Sequence, residues 1–236
     1  MTKVLMIVAN PATSPVTGWP VGFWWAELSH AWLEFMQAGY EVTFASPEGG
    51  DLEADGWSDP EHETGYAAKD LISLGFKKSL VTAPLIKNTP ALSAVKIEDH
   101  DAIFVVGGQA PMINMFEDEA LHRFVAETYE TGRITAAVCH GSCILLKTRL
   151  SNGDLLVKGK TWTGFANSEE RYAEGAAGQK IQPFRIEDAA GKLEDTNFIT
   201  GPMLTPFAVR DGNLITGQQQ VSSAATAQKV IEALGR

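Results

Sequence analysis

One abrupt change of pattern constrains the fold of this chain more than any other feature. Residues 134–138 are small and β-branched apolar residues, which are typical of a buried strand. The pattern breaks at Cys139 and His140, and a short apolar helix is predicted to begin at once through residues 143–147. A strand that turns sharply into a helix lifts the turn residue out of the sheet. The pattern therefore predicts a nucleophile elbow that carries a thiol in place of the usual serine.

Cys139 is the candidate nucleophile of this elbow. The free N–H groups and the positive dipole end of the following helix favour thiolate over thiol. The alternative is a buried cysteine followed by a surface histidine, but the strand–turn–helix context favours the functional interpretation. The second cysteine, Cys143, lies four positions later. Two cysteines on one helical path make a poor disulfide pair, which argues against a disulfide-stapled secreted domain.

The rest of the chain alternates predicted strands and helices. Strands are predicted at residues 3–8, 40–45 and 101–106, helices at 21–38 and 116–129, shorter β-type pieces at 155–157 and 161–163, a polar helix at 167–176, a hairpin at 207–216 and a closing helix at 222–234. Such alternation implies a parallel sheet with helices on its faces. We predict a single doubly wound, flavodoxin-like α/β domain over residues 1–236, with a mostly parallel sheet sandwiched by helices.

Residues 51–98 depart from this alternation. They are acidic at first, weakly helical around residues 67–74, and lack a clear strand. We interpret them as an inserted excursion of the single domain. Residues 59–63 offer one histidine among carboxylates, which is more typical of a solvated acidic loop than of a metal site, so no metal is predicted there.

Charge and hydropathy exclude several classes of partner. The formal net charge of -10 argues against a nucleic-acid partner, since no basic surplus is present to displace counterions. No stretch approaches the ~20 apolar residues that a membrane span requires. The short apolar start before Asn10 and Pro11 favours a first strand over a signal peptide. This balance predicts a cytoplasmic enzyme kept in solution by its charge.

Further candidate site residues lie at strand ends and on the first helix. Gly107 and Gly108 follow the strand beside the elbow, at the sheet edge where ligands bind. A backbone N–H there and that of His140 are candidate oxyanion donors, although a plain tight turn is the alternative. Glu27 lies on an apolar helix face, where burial would raise its pKa and suit it to exchanging a proton with a thiolate. The alternative is a solvated glutamate paired with His30.

A histidine that acts as a base needs a hydrogen-bond acceptor to orient its ring, and the polar helix near residue 169 offers candidates for His140. Glu169 and Glu170 are both candidates, and spacing alone does not choose between them. Two solvated helix glutamates are the more common case. The aromatic residues Trp19, Trp24 and Trp25 are interpreted as core or interface residues in preference to an aromatic substrate box.

These motifs together resemble those of the DJ-1/PfpI (ThiJ) superfamily, over nearly the whole chain. Within it the chain is most similar to the heat-shock-protein-31-like glyoxalase III branch. Glu27 followed by His30 matches the first-helix motif of that branch, and residues 163–165 with Glu170 match the motif that carries the third triad residue. The resemblance implies a Cys139–His140–Glu170 triad with Glu27 beside the sulfur.

Two positions depart from the pattern of this branch. Ser142 stands where the branch often has proline, which we expect to be a mild change. Gln109 begins a loop, residues 109–113, that replaces the histidine-containing loop of better-known members. Because that loop lines the pocket, the identity of the substrate stays open.

The resemblance implies a glutathione-independent glyoxalase that converts methylglyoxal or glyoxal to the hydroxy acid. It implies no metal or organic cofactor, a homodimer, and a role in the stress response to reactive aldehydes; the same site is suited to early glycation adducts. Two other functions stay open. One is cysteine-dependent amide or peptide hydrolysis, or amidotransferase-like chemistry, which moves no carbon-bound proton. The other is a non-enzymatic redox-sensing or holdase chaperone role, in which Cys139 becomes a sulfinic acid and His140 has no task.

Overall fold

A computed structural model describes residues 1–235. Its strands are β1 (Lys3–Ile7), β2 (Ala12–Thr13), β3 (Pro20–Val21), β4 (Glu41–Ala45), β5 (Ala102–Val105), β6 (Ile134–Val138), β7 (Thr161–Trp162), β8 (Asn197–Phe198), β9 (Ala208–Asp211) and β10 (Leu214–Gly217). Six of these form the central sheet in the order β4-β1-β5-β6-β10-β9. All neighbours in it are parallel except β9, which runs antiparallel to β10.

Helices flank this sheet and cover the central strands. The α-helices are α1 (Trp25–Gln37), α2 (Leu71–Lys78), α3 (Glu119–Glu130), α4 (Asn167–Ala177), α5 (Ile186–Ala190) and α6 (Ser223–Ala233). Strands β5 and β6 are buried along their whole length, which explains why they read as continuous apolar runs. Phe35 of α1 packs edge-on against Phe104 of β5, with ring centroids 5.7 Å apart. The predicted α/β fold with a mostly parallel sheet is confirmed.

Several local predictions were shifted or wrong. Helix α1 begins at Trp25, because Pro20 and Val21 pair with β2 in a small antiparallel ribbon. The apolar helix after the elbow is a 3-10 helix, Cys139–Leu146. Residues 155–157 form turns with one bridge from Arg149 to Leu155, and the short strand β8 was not predicted. Two-residue pairings are too short to leave a periodic signal in the sequence.

The excursion of residues 51–98 packs against the main sheet region without adding to it. Among these residues the structure has α2 and single 3-10 turns, and no strand of the central sheet. Ion pairs with two lysines of α2 anchor the acidic loop. Lys77 pairs with Asp59 and Glu61, and Lys78 pairs with Glu61. Between residues 1 and 235, no helix is long and apolar enough to cross a membrane.

Candidate active site

The elbow after β6 has a backbone conformation that non-glycine residues rarely adopt. Cys139 has φ +56°, in the left-handed region, directly after the extended residue Val138. Two positions further, a Cβ on Gly141 would lie 2.9 Å from the carbonyl oxygens of Val105 and Val106, so this turn packs on the end of β5. The close packing and the positive φ hold the Cys139 side chain in the wall of a cavity.

The Gly107–Gly108 turn passes between the elbow and the start of α1. The N–H groups of Gly108 and His140 both donate to the Cys139 sulfur. Gly108 has φ +111°, and a Cβ there would lie 2.5 Å from the carbonyl oxygen of Gly22, so a larger residue does not fit. Gly107 lies behind it, where a Cβ would be 2.4 Å from the Glu27 carboxyl. The turn thus brings donors to the thiol and leaves room for the acid.

The pKa of the Cys139 thiol is raised well above its usual value, contrary to the expectation that the helix start favours thiolate. Burial is the main cause, and the charge of an ionised Glu27 and its hydrogen bond with the thiol add to it. The two backbone donors lower the pKa of the thiol, but not enough to offset the loss of solvent. A nucleophilic role for Cys139 therefore requires a proton acceptor close to the thiol.

His140 and Glu170 provide such an acceptor with an orienting partner. Cys139 Sγ lies 3.5 Å from His140 Nδ1, and His140 Nε2 lies 3.0 Å from Glu170 Oε2. The imidazole also packs against the Phe165 ring, with centroids 4.1 Å apart. The adjacent Glu169 faces away: its carboxylate accepts from the Gln218 amide at 2.8 and 3.0 Å. The geometry brings Glu170 to the histidine and leaves Glu169 to hold the neighbouring loop.

Glu27 is completely buried beside the sulfur. Neither of its carboxyl oxygens has a hydrogen bond of regular geometry to any residue from 1 to 235. Burial raises the pKa of Glu27 to about 8; interaction with the Cys139 thiol lowers it and the charge of Asp55 raises it. His30 does not pair with Glu27 but with Asp70, at 2.9 Å. Glu27 is thus an acid that keeps its proton at neutral pH.

Asp55, from the excursion, was missed by the sequence reasoning. It is buried, and its carboxylate accepts from the N–H of Gly22 at 3.0 Å and from the N–H of Gln109 at 2.7 Å. The Gln109 side-chain amide donates to it as well, at 3.3 Å. Burial raises the pKa of Asp55 to about 7, although these donors oppose the shift. In the sequence Asp55 is one of several acids in a row, and nothing there marks it as the buried one.

Ser142, which stands where the glyoxalase III branch often has proline, stabilises the elbow through its hydroxyl group. Its hydroxyl donates to the Cys139 carbonyl oxygen at 2.6 Å. A Cβ on Gly164 would lie 2.0 Å from the Ser142 hydroxyl oxygen, so the two positions pack directly on each other.

The Cys139 side chain faces a cavity with an empty volume of about 820 Å³, a figure that includes solvent at its mouth. Gly108 and Gln109 line it together with the four proposed catalytic side chains. Trp19 and Trp24, expected in the core or an interface, also line it, whereas Trp25 is buried against Phe23. The remaining lining residues are Trp57, Tyr66, Phe165, Glu169, Tyr172, Ala173, Ala176, Ile181, Gln182, Leu204 and Gln220.

Comparison with known proteins identifies relatives along nearly the whole chain. Residues 22–233 match the model of the DJ-1/PfpI family. The probable glutathione-independent glyoxalase hsp3103 of Schizosaccharomyces pombe is 26% identical, over 99% of this chain and 98% of that protein. Glyoxalase 3 of Candida albicans is 28% identical, over 99% and 98%. The crystal structure of glyoxalase III from Candida albicans superposes with a TM-score of 0.79 at 26% identity, covering 98% of this chain and 97% of that one.

Proposed function

Since this chain belongs to the DJ-1/PfpI family, we propose that it is a glutathione-independent glyoxalase that converts an α-oxoaldehyde to the 2-hydroxy acid. The resemblance noted in the sequence is confirmed by the family match, and the relatives that match nearly all of the chain are named as glyoxalases. Cys139 is the proposed nucleophile, with His140, Glu170 and Glu27 as the proposed catalytic partners.

The observation that carries the proposal is the protonated acid beside the thiol. Hydrolysis of an amide needs a nucleophile, a base and oxyanion donors, and has no use for a second buried acid at the sulfur. Conversion of an α-oxoaldehyde also requires a proton to leave one carbon and arrive at the next. Glu27, with its pKa of about 8, is matched to such proton transfer near neutral pH.

In the first step the thiol adds to the aldehyde carbon. His140 Nδ1, 3.5 Å from the sulfur, takes the thiol proton, and the Glu170 carboxylate at Nε2 stabilises the imidazolium. The new C–S bond leaves the negative charge on the former carbonyl oxygen. The N–H groups of Gly108 and His140 hold that oxygen, and the imidazolium returns the proton to it. The product of this step is a hemithioacetal.

In the second step the proton on the first carbon moves to the second through an enediol. The His140 imidazole is placed to take this proton, and the protonated Glu27 carboxyl is placed to supply one to the second carbon. The hydroxyl proton of the hemithioacetal passes to the oxygen of the second carbon, and proton transfer from His140 to Glu27 restores both groups. The first carbon is thereby oxidised to a thioester and the second reduced to an alcohol, so no external oxidant is needed. Water, activated by His140, then cleaves the thioester. The sum is one aldehyde plus one water to one hydroxy acid.

The test is lactate formation from methylglyoxal in the absence of glutathione. We expect wild type and Cys143→Ala to form lactate, because Cys143 is buried away from the cavity against the Pro111 carbonyl. Cys139→Ala should form none above background. Activity that survives in Cys139→Ala would contradict the proposal. Hydrolysis of amide or ester substrates without any lactate would favour the hydrolase instead.

The proposal extends to the oligomeric state and the cellular compartment of the protein. By its resemblance, we expect the chain to form a homodimer and to act in the cytoplasm against aldehyde stress. Light scattering after size-exclusion chromatography tests the dimer against the chain mass of 25.5 kDa. A mass that stays at one chain over the full concentration range would remove the dimer from the proposal and leave the chemistry intact.

A further inference from the structure

The cavity beyond the nucleophile is walled by aromatic side chains. Trp19 and Trp57 pack with ring centroids 5.9 Å apart, and Trp24 and Tyr66 meet edge-on at 6.0 Å. Tyr172, half exposed, stands at the mouth with Tyr66. The wall therefore offers several ring faces and edges to whatever extends outward from the sulfur.

The same wall carries no positive charge. Among residues 1–235, no lysine or arginine lines the cavity, and its carboxyl groups are those of Glu27, Glu169 and Glu170. An anionic group on the substrate would find no lysine or arginine there and would lie near three carboxyl groups. The wall thus favours a neutral substituent on the aldehyde.

Two buried polar atoms in the wall also point to an occupant. Within residues 1–235, Gln109 Oε1 and Gln182 Nε2 have no hydrogen-bond partner. The Gln182 side chain is 2% exposed and lines the cavity. Buried amide groups are rarely left unpaired in folded proteins. A ligand carbonyl oxygen can accept from Gln182 Nε2, whereas Gln109 Oε1 requires a donor such as a hydroxyl group.

The lining of the cavity includes more than the reacting groups. Beside Cys139 and His140 it contains the rings of Trp19, Trp57 and Tyr66. Methylglyoxal bonded to the sulfur adds only a carbonyl and a methyl group, which offer little apolar surface to these rings. Contact with that wall requires a ring or another large apolar group.

We propose that the preferred substrates are neutral aryl α-oxoaldehydes of the phenylglyoxal type, whose ring is held by the Trp19–Trp57 and Trp24–Tyr66 pairs. This inference rests on the proposed glyoxalase function and names its substrate class. The aldehyde lies at Cys139 and the ring lies against the aromatic wall, so Trp57 and Tyr66 are specificity-determining residues from the excursion.

The first measurement compares kcat/KM for phenylglyoxal and methylglyoxal in wild type. We expect a preference for phenylglyoxal of roughly tenfold or more, carried mainly by KM, as for other apolar substituents in a matching pocket. Trp57→Leu should remove most of this preference. Trp32→Leu is the matched control, because Trp32 packs against Phe76 outside the cavity; it should keep the wild-type ratio.

A binding measurement separates the substrate class from the chemistry. Acetophenone and acetone lack the aldehyde, and calorimetry with wild type and Cys139→Ser reports their affinity without turnover. Tighter binding of acetophenone supports the inference even if no dicarbonyl is consumed, in which case the glyoxalase function alone fails. Equal kcat/KM for both aldehydes, together with equal binding of both ketones, would overturn the inference. So would a phenylglyoxal preference that Trp32→Leu loses and Trp57→Leu keeps.

Discussion

Cys139 and Glu27 control each other's ionisation. Both are buried, and an ionised Glu27 raises the pKa of the thiol, so the two titrate as a pair. One proton leaves the pair near pH 8, where Glu27 titrates, and the second leaves only far above it. Around neutral pH the sulfur thus has an acid beside it and not a carboxylate charge. At neutral pH the sulfur is therefore free of electrostatic repulsion from Glu27.

Alkylation of the native protein should distinguish the two cysteines. We expect iodoacetamide to modify Cys139, which lines the cavity. Cys143 should stay unmodified until unfolding, because it is fully buried and burial raises the pKa of its thiol. Peptide mapping by mass spectrometry measures both. Preferential modification of Cys143 would contradict the elbow assignment.

His140 and Glu170 should act as a unit. Since Glu170 holds the imidazole at 3.0 Å, removing either side chain is expected to cost a similar factor in turnover. The double variant His140→Ala/Glu170→Ala should then be little worse than either single one. Glu169→Ala is the control for the neighbouring position, and its loss should show mainly in stability, since its carboxylate binds Gln218. Additive losses in the His140 and Glu170 cycle would show that the two are not coupled.

The local sequence pattern predicted some of the candidate site residues and not others. Cys139 and His140 were predicted from the strand–turn–helix context, and Glu27 from an acid on an apolar face. The choice of Glu170 over Glu169 rested on the resemblance, because both are buried and only the direction of each side chain separates them. Asp55 could not be predicted, since its partners Gly22 and Gln109 lie 33 and 54 positions away.

Among the secondary-structure elements, the start of α1 and the turn after β5 depend on the excursion. The Asp55 carboxylate accepts from both Gly22 and Gln109, and Trp24 N–H donates to the Gly107 carbonyl at 3.2 Å. On the other side, Ser223 at the start of α6 donates to the Glu27 carbonyl at 2.7 Å. The Gly108 donor and the Glu27 acid are therefore positioned by segments distant in sequence.

Asp55→Asn should disturb this arrangement. One carboxylate oxygen becomes an NH₂ group that faces an N–H donor, so a buried hydrogen bond is lost and two donors meet. We expect a loss of about 1–3 kcal/mol in the free energy of unfolding and a fall in kcat/KM through the displaced Gly108. Urea unfolding and turnover of methylglyoxal measure the two effects.

Asp51→Asn is the control in the same excursion. Asp51 is exposed and pairs with Lys87, so its replacement should leave both readouts nearly unchanged. Equal behaviour of the two variants would show that Asp55 does not position the site.

The regular elements were predictable, and the short ones were not. Buried parallel strands leave continuous apolar runs, so β1, β5 and β6 were located within one or two residues. The edge strand β4 was located equally well from its β-branched and aromatic residues and the turn signal that follows it. The start of α1 was displaced because Val21 and Phe23 are apolar for reasons other than helix formation: one pairs in the β2–β3 ribbon and the other bridges to Ala54. Strand β8 consists of two residues paired with β7, which only the tertiary structure reveals.

For the molecule as a whole, two buried acids make stability depend on pH. Glu27 has a pKa of 4.5 when unfolded and about 8 in the native protein, and burial raises the pKa of Asp55 from 3.8 to about 7. Between these values the native state holds protons that the unfolded chain has released. The free energy of unfolding therefore falls as pH rises through this interval.

Glu27→Gln should remove about half of this dependence, because the pKa intervals of Glu27 and Asp55 are similar in width. The interval for Glu27 corresponds to at most about 5 kcal/mol, at about 1.4 kcal/mol per pH unit. We expect the melting temperature of the variant to equal that of wild type near pH 4.5 and to exceed it increasingly up to about pH 8. Turnover should fall about a hundredfold or more, because the amide cannot carry a proton.

Thermal unfolding of both proteins across this pH range measures the effect. Glu34→Gln, on the same helix but partly exposed, controls for the substitution itself. A difference in melting temperature between Glu27→Gln and wild type that does not change with pH would mean that Glu27 is ionised in the native protein. Wild-type turnover in Glu27→Gln would make Glu27 a structural residue.

The wall of the cavity and its reactive centre come from different parts of the fold. Cys139 and Gly108 follow β6 and β5 of the central sheet, whereas Trp57 and Tyr66 lie on the excursion of residues 51–98. Variation in the insertion can thus alter which aldehyde is accepted while the reaction is inherited unchanged. Asp55 restricts this variation, because its carboxylate accepts from the N–H groups of Gly22 and Gln109 and so positions the turn that contains Gly108. Substrate range in such a scaffold can diverge quickly, and its chemistry slowly.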